Sequence, residues 1–178
     1  MDSIESAHWR RRARLMYEWA RLRRALVGFA PALLVVALAA FITPRPASAL
    51  LFGGALFCAG VALLWYGHDL HRAVLPGVLA GVVPLAVALC ANQVGHVCTG
   101  ASCVSLCLPA CAGGGLIAGI TVSVIGHRRK LGGGFWIAGS VVALLTGAMG
   151  CACIGYSGLF GLLAGYGFGL LATLRPRM

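Results

Sequence analysis

Residues 25–43 read ALVGFAPALLVVALAAFIT, and none of these nineteen side chains carries a charge. An apolar run of about 18 residues or more is long enough to cross the hydrocarbon core of a bilayer as an α-helix. The run is followed by Pro44 and Pro46, which do not continue a helix readily. The stretch therefore predicts a first transmembrane helix.

The rest of the chain repeats this pattern. We expect further spans at 49–67, 74–91, 106–125, 135–150 and 159–174, separated by polar, basic or glycine-rich residues. The chain is 60% hydrophobic and 10% charged, whereas soluble domains average about 45–50% and about 25%. At about 20 residues per span, the 178 residues leave no room for a soluble domain. We predict an all-α polytopic bundle of six transmembrane helices that occupies residues 27–178.

Basic residues are concentrated on one side of this arrangement. Six spans place the N-terminus, the second and fourth connections and the C-terminus on the same side of the membrane. Because cytoplasmic loops carry an excess of Lys and Arg, we expect both termini to be cytoplasmic, with Arg45 alone on the outer side. The residues expected inside are Arg10, Arg11, Arg12, Arg14, Arg21, Arg23, Arg24, Arg72, Arg128, Arg129, Lys130, Arg175 and Arg177.

Residues 1–26, before the first span, form a predicted cytoplasmic helix that is both basic and amphipathic. Apolar side chains at helical spacing alternate with seven arginines. Such a helix either lies on anionic lipid headgroups or docks a partner that has an apolar groove and an acidic rim. The candidate partner-binding residues are Trp9, Arg12, Leu15, Trp19 and Leu22.

Six of the eight cysteines fall at or near the opposite, outer side of the predicted bundle. Cys58 lies deep in the second span, and we expect Cys58 and Cys90 to be packing residues. Pro109 suits a first helical turn, so we expect the fourth helix to begin near Leu108, after Cys107. The candidate sensing or metal-binding residues are His96, Cys98, Cys103, Cys107, Cys111, Cys151 and Cys153.

Three chemistries fit this cysteine cluster. Disulfides between pairs such as Cys98 and Cys103 could stabilise the outer ends of the helices in an oxidising compartment. Accessible thiols with a resolving partner could sense oxidants. Thiolates together with His96 could bind a thiophilic metal ion, which is the only cofactor that the sequence suggests. The residues alone leave the three open.

Glycines at four-residue spacing mark two helix surfaces, Gly161, Gly165 and Gly169 in the sixth span and Gly115 and Gly119 in the fourth. Such rows permit close helix contact in membranes. We expect them to pack within one chain, while a homo-oligomer stays open.

The sequence argues against several functional classes. It contains no nucleotide-binding loop, catalytic triad, paired carboxylates or HExxH motif, and it has only four acidic residues. We therefore expect that the protein is not an enzyme. The net charge of +10 is assigned to membrane orientation, and we expect no direct contact with nucleic acid.

Several of these segments together resemble the six-span anti-sigma factors of the NrsF type, which are bacterial inner-membrane proteins with a short cytoplasmic N-terminus. The resemblance is carried by RRRARLMYEWARLRR at 10–24, RAVLPG at 72–77, the outer cysteines between spans three and four, and Cys151 or Cys153 before a glycine-rich last helix. It implies an inner-membrane stress-response regulator that binds a cytoplasmic sigma factor. It also implies that Cys98 or Cys103, together with Cys151 or Cys153, senses a redox or metal signal. The chain has more outer cysteines than that pattern requires.

We therefore expect an anti-sigma factor that sequesters an extracytoplasmic-function sigma factor and releases it when its outer cysteines are oxidised or metallated. A small mercury- or copper-type membrane transporter and a thiol-disulfide oxidoreductase are the alternatives. The transporter hypothesis is weakened by the lack of a second set of thiols at the expected cytoplasmic side.

Overall fold

The computed structural model describes the backbone of residues 2–43, 46–67, 70–94, 96–99, 102–152 and 155–174, and the side chains of 8–43, 46–67, 70–94, 106–152 and 155–173. Six helices in these ranges are long and apolar enough to cross a membrane. The predicted helical membrane bundle is therefore confirmed. The helices are α1 (Asp2–Ile42), α2 (Pro46–Tyr66), α3 (His71–Val94), α4 (Cys107–Arg128), α5 (Gly133–Cys151) and α6 (Tyr156–Leu174).

Successive helices run in opposite directions. In α1 and α2, Val36 packs on Gly53 and Phe29 on Gly60, so residue numbers rise in one helix as they fall in the other. In α4 and α6, Gly115 meets Leu162 and Gly119 meets Tyr166, so these two helices are parallel. The N-terminus of α1 and the C-terminus of α6 consequently lie on the same side of the bundle.

The two ends of the bundle differ in chemistry. The first half of α1, the connection from α2 to α3 with the first turn of α3, and the connection from α4 to α5 with the last turn of α4 form one end, which we name the basic face. Every Lys and Arg side chain that the structure describes belongs to these three segments. The opposite end, which we name the cysteine face, is formed by the start of α4, the end of α5 and the segment between α3 and α4. Arg45, Arg175 and Arg177 lie outside the described residues.

Glycines bring α4 and α6 into backbone contact along their length. A Cβ added to Gly165 or Gly169 of α6 would overlap the carbonyl oxygen of Ala112 or Leu116 in α4. Gly115 of α4 is equally close to a carbonyl oxygen of α6. The predicted packing of these glycine rows within one chain is confirmed, and it places α4 and α6 together as a tight pair.

The helices α3 and α5 form a second tight pair. A Cβ on Gly81 would lie 2.6 Å from the carbonyl oxygen of Ala143, and one on Gly77 would lie 3.0 Å from that of Gly139. Pro84 of α3 joins the two pairs, since a Cβ on Gly114 of α4 would lie 2.6 Å from its Cα atom. The four helices thus form a compact centre.

The first two helices pack against one side of this centre. Phe29 and Val36 of α1 share an apolar cluster with Leu56 of α2 and with Val142 and Met149 of α5. Since one face of α1 packs there, other apolar side chains of its membrane-spanning part, such as the exposed Phe41, are left for lipid.

The structure adds detail to two local predictions. The segment between α3 and α4, for which the sequence predicted no helix, contains an antiparallel hairpin of β1 (His96–Thr99) and β2 (Ser102–Ser105). The fourth helix begins at Cys107, one residue before the predicted start near Leu108, so Cys107 belongs to the helix. Pro109 is then its third residue, where the missing N–H removes no helical hydrogen bond.

Candidate functional site

Two candidate cysteines are brought opposite each other by the hairpin. Its register pairs Cys98 with Cys103 and His96 with Ser105. Directly opposed residues in an antiparallel pair have Cα atoms about 4.5–5.5 Å apart, which lies within the range that disulfides span. The side chains of His96, Cys98 and Cys103 lie outside the described ones, as does the whole of Cys153, so their predicted roles stay predictions.

A second pair of cysteines is joined directly through side chains. Cys111 lies in the second turn of α4, and Cys151 is the last residue of α5. Both are completely buried, at 0% exposure, and their thiols are hydrogen-bonded to each other. Cys107, four residues before Cys111 and buried as well, is the first residue of α4 and lies one turn from Cys111. The structure therefore brings Cys111 and Cys151 together from distant parts of the sequence.

The two remaining cysteines are not packing residues. Cys58, near the middle of α2, and Cys90, near the end of α3, are both exposed on the outer surface of the bundle. In a membrane this surface faces lipid. The prediction that they pack inside the bundle was wrong because the sequence does not specify how each helix is rotated about its axis.

The metal-binding hypothesis concerns the same residues. Among the side chains that the structure describes, no three His, Cys, Asp or Glu residues lie close enough together to hold a metal ion. Cys111 and Cys151 therefore have no third described partner of these types. Zinc usually needs four protein ligands in a structural site, and this pair by itself offers two.

The predicted docking residues lie on an exposed extension of the first transmembrane helix. Helix α1 is continuous over 41 residues, which corresponds to roughly 62 Å at about 1.5 Å per residue. Trp9, Arg12, Leu15 and Trp19 are exposed, with Leu15 at 65% and Trp19 at 67%. Leu22 is half-buried, because it lies closer to the part of α1 that packs on α2.

The end of α2 marks where this extension leaves the bundle. The indole Nε1–H of Trp65 donates a hydrogen bond of 3.0 Å to Oε2 of Glu18. Next to it, the guanidinium of Arg21 lies against Gly67, whose positive φ of 68° ends α2 in a tight turn. Residues 2–17 consequently extend roughly 24 Å beyond this junction. We name them the projecting segment.

Several interhelical polar contacts were not anticipated from the sequence. The Tyr166 hydroxyl of α6 is hydrogen-bonded at 2.8 Å to Ser140 of α5, and Thr173 of α6 is hydrogen-bonded to Ser123 of α4. Hydroxyl groups inside apolar spans indicate hydrogen bonds between helices, because they find partners on neighbouring helices when water is absent. The sequence marks these hydroxyls but not their partners. The hydrogen bond between Trp65 and Glu18 was not anticipated from the sequence either.

Fold and topology together define a multi-pass helical membrane protein with chemically different ends. No protein-family model, curated protein or solved structure matches the chain.

Proposed function

We propose that this protein is a membrane-bound anti-sigma factor. In this proposal, the projecting segment of α1 and the following turn hold an extracytoplasmic-function sigma factor at the cytoplasmic side of a bacterial inner membrane. Oxidation or metallation of cysteines at the cysteine face releases it. The class of partner comes from the resemblance described above, and the geometry supports a docking element and a thiol element at opposite ends of one bundle.

The observation that carries the proposal is the continuity of α1. A helix that lies on lipid headgroups has to turn away from the membrane-spanning helix that follows it. Within the described residues of α1, from Asp2 to Ile42, the helix is unbroken, even at Pro31. A continuous helix carries its basic end away from the bundle and into the aqueous phase, where a protein partner can surround it.

The projecting segment and its junction have the composition of a protein-docking helix. Trp19 and Leu15 provide exposed apolar area, and Arg12 and the neighbouring arginines surround it with positive charge. Tryptophan and arginine are the residue types most enriched among those that dominate binding energy. A partner with an apolar groove and an acidic rim fits this surface by shape and by charge.

The bundle offers a physical connection between the two ends. Helix α5 ends at Cys151, and two residues earlier its Met149 belongs to the apolar cluster that contains Phe29 and Val36 of α1. A change in the position of α5 at the cysteine face would therefore alter the packing of the helix that bears the docking surface. Signal transmission requires a bundle that has two arrangements, and this contact would let a change at the cysteine face favour one of them at the docking surface.

Thiophilic-metal transport has less support. A relay of an ion across the bilayer needs thiols that face the interior of the bundle at successive depths. Cys58, the cysteine nearest the middle of the membrane, is exposed on the outer surface instead. No described feature favours the thiol-disulfide oxidoreductase over the regulator.

The test is gene expression in the native host carrying Leu15→Ala and Trp19→Ala, with the bundle unchanged. Losing a buried tryptophan anchor typically costs about 2 kcal/mol, or roughly a thirtyfold loss of affinity. We expect the sigma-dependent genes to be transcribed without any stimulus. Phe41→Ala is the matched control, because Phe41 is also an exposed aromatic residue of α1, at 90% exposure, but lies in the membrane-spanning part.

The control variant should leave transcription unchanged. An unaltered transcriptome in the double variant, with the protein present in the membrane at its normal level, would eliminate the anti-sigma function. A lipid-binding assay on the isolated 1–26 peptide cannot take the place of this measurement. Lipid binding and partner docking use overlapping residues, so the same substitutions would weaken both.

A further inference from the structure

The cysteine pair Cys111–Cys151 lies at the junction of the two tight helix pairs. Helix α4, which carries Cys111, is packed through glycines on α6, whereas α5, which carries Cys151, is packed on α3. The two thiols are hydrogen-bonded across the interface between these pairs. A covalent bond at this point would join the two halves of the bundle at the cysteine face.

The surroundings of the pair are apolar. Both sulfurs are buried with Ala88, Ala148 and Leu162 in one apolar cluster, and all five residues are nearly or fully inaccessible. A disulfide is neutral and has no strong hydrogen-bonding group, so forming one here leaves no buried charge. Two ionised thiolates in the same place would carry a large desolvation cost unless a cation neutralised them.

We propose that Cys111 and Cys151 form a redox-active dithiol that a small uncharged hydroperoxide oxidises to an interhelical disulfide. This assignment rests on the proposed function for its regulatory purpose, and it names the bond and the oxidant class that the sensing step would use. It differs from the pairing that the family resemblance implies, which takes its first cysteine from the hairpin.

The reaction balances with the hydroperoxide as the two-electron oxidant. One sulfur attacks the terminal peroxide oxygen, the O–O bond breaks, and the alcohol or water that leaves takes up a proton. The resulting sulfenic acid is attacked by the second sulfur, the S–O bond breaks and water leaves with the second thiol proton. The two sulfurs lose two electrons in total, and the hydroperoxide gains them.

The arrangement supplies what each step needs. A sulfur that accepts a hydrogen bond from its neighbour is better able to carry negative charge during the first attack. The second thiol is already in contact, so the sulfenic acid has its resolving partner in place. The apolar surroundings favour an uncharged oxidant over a charged one, which would have to lose its hydration shell.

Oxidation would also bring the two sulfurs together. Hydrogen-bonded sulfurs are much farther apart than the about 2.05 Å of a disulfide, and whatever part of this approach side-chain rotation does not supply moves the start of α4 toward the end of α5. Met149 lies two residues before Cys151 in the cluster that α5 shares with α1. Any such displacement of α5 therefore begins beside the packing contacts of the docking helix.

The experiment uses the full chain in native membrane vesicles, with Cys153→Ser introduced so that Cys151 is the only cysteine after the exposed Arg128–Lys130 loop. Vesicles are treated with tert-butyl hydroperoxide, alkylated, and digested with trypsin, which cuts this loop and separates α4 from α5. We expect the two fragments to stay linked until a reductant is added. Peptide mass spectrometry should place the link at Cys111.

Variants identify the partner of Cys151. Cys111→Ser should reduce the linked fraction at least tenfold, whereas Cys107→Ser, the matched control one turn away on α4, should retain it. Separate fragments at every peroxide concentration, or a link that maps to Cys107 or to the hairpin cysteines, would overturn the proposal. The proposal would also be overturned, in favour of a soft-metal site, if added Hg²⁺ protected both thiols from alkylation and peroxide produced no link.

The failure of this proposal and that of the proposed function are distinguishable. If the link forms but the Leu15→Ala and Trp19→Ala variant leaves transcription unchanged, the dithiol stands and the anti-sigma function falls. If the variant activates transcription but no link forms, the anti-sigma function stands and the dithiol falls.

Discussion

Gly165 of α6 lies against the peptide group of Ala112 in α4, and a Cβ atom at Gly165 would be only 2.8 Å from the Ala112 carbonyl carbon. Real Cβ atoms do not approach backbone this closely, so the two helices would have to separate to admit one methyl group. Backbone is also a less adaptable neighbour than the end of a flexible side chain. This single relationship makes α6 dependent on glycine at that position.

We expect Gly165→Ala to destabilise the bundle by about 1–3 kcal/mol, the usual cost of inserting a methyl group into a well-packed site. Gly167→Ala is the control, because a Cβ at Gly167 meets nothing within 4 Å. The measurement is SDS-induced unfolding in mixed micelles. Equal stability of the two variants would contradict the tight α4–α6 contact.

We expect Tyr166→Phe to lower stability by about 0.6 kcal/mol and by no more than about 1.7 kcal/mol, which are the average and the maximum measured for interhelical hydrogen bonds in a membrane protein. The substitution removes the hydroxyl that bonds Ser140 at 2.8 Å and keeps the ring. Tyr156→Phe, on the same helix at 83% exposure, should have no effect. In a double-mutant cycle, Ser140→Ala should cost less in the Tyr166→Phe background than in the native chain. Additive costs would mean that the two hydroxyls are not coupled.

We expect Trp65→Phe to loosen the junction between α1 and α2, because it removes the N–H that bonds Glu18 and retains an aromatic ring. Exposed polar contacts contribute about 1 kcal/mol or less, so tryptic cleavage at Arg21–Arg24 should accelerate by roughly fivefold or less. Tyr66→Phe is the control, because it keeps the ring that stacks on Trp65, with ring centroids 6.2 Å apart, and leaves the Trp65–Glu18 hydrogen bond in place. Indistinguishable cleavage rates for the two variants would show that the hydrogen bond does not hold the junction.

We expect a reporter fused after Leu174 to be cytoplasmic and one fused after Gly155 to be exported. The basic face contains every described Lys and Arg side chain, and cytoplasmic loops attract these residues. The fold already places the two fusion sites on opposite sides, so both reporters are informative. An exported C-terminal reporter would reverse the orientation and remove the docking surface from the cytoplasm.

Local patterns predicted the number of helices and the role of the glycine rows. A run such as 25–43 is recognisable because the preference of each side chain for lipid adds along the chain, independently of what the helix packs against. Gly165 and Gly169 were recognisable as a contact surface because their spacing places them on one face of a helix. The family resemblance contributed the class of partner, which stays a prediction.

The positions of individual cysteines depended on the tertiary structure. Cys111 and Cys151 are forty residues apart, and they meet only because α4 and α5 pack with a particular rotation and vertical offset. The rotations of α2 and α3 expose Cys58 and Cys90 on the outer surface of the bundle, although both belong to runs that resemble buried helices. In α1, the continuity across residue 26 could not be inferred from composition, since the side chains change from basic to apolar while the backbone hydrogen bonds continue.

Hydrophobicity and charge along the chain thus determined by themselves that this is a six-span membrane protein with a basic and a cysteine-rich end. Both properties can be summed residue by residue from the sequence. Only the tertiary structure decided which thiols pair, which face lipid, and how the docking helix joins the bundle. Those relationships depend on how each helix is rotated and which helix lies beside it, and a uniformly apolar helix has no strong sequence signal for either.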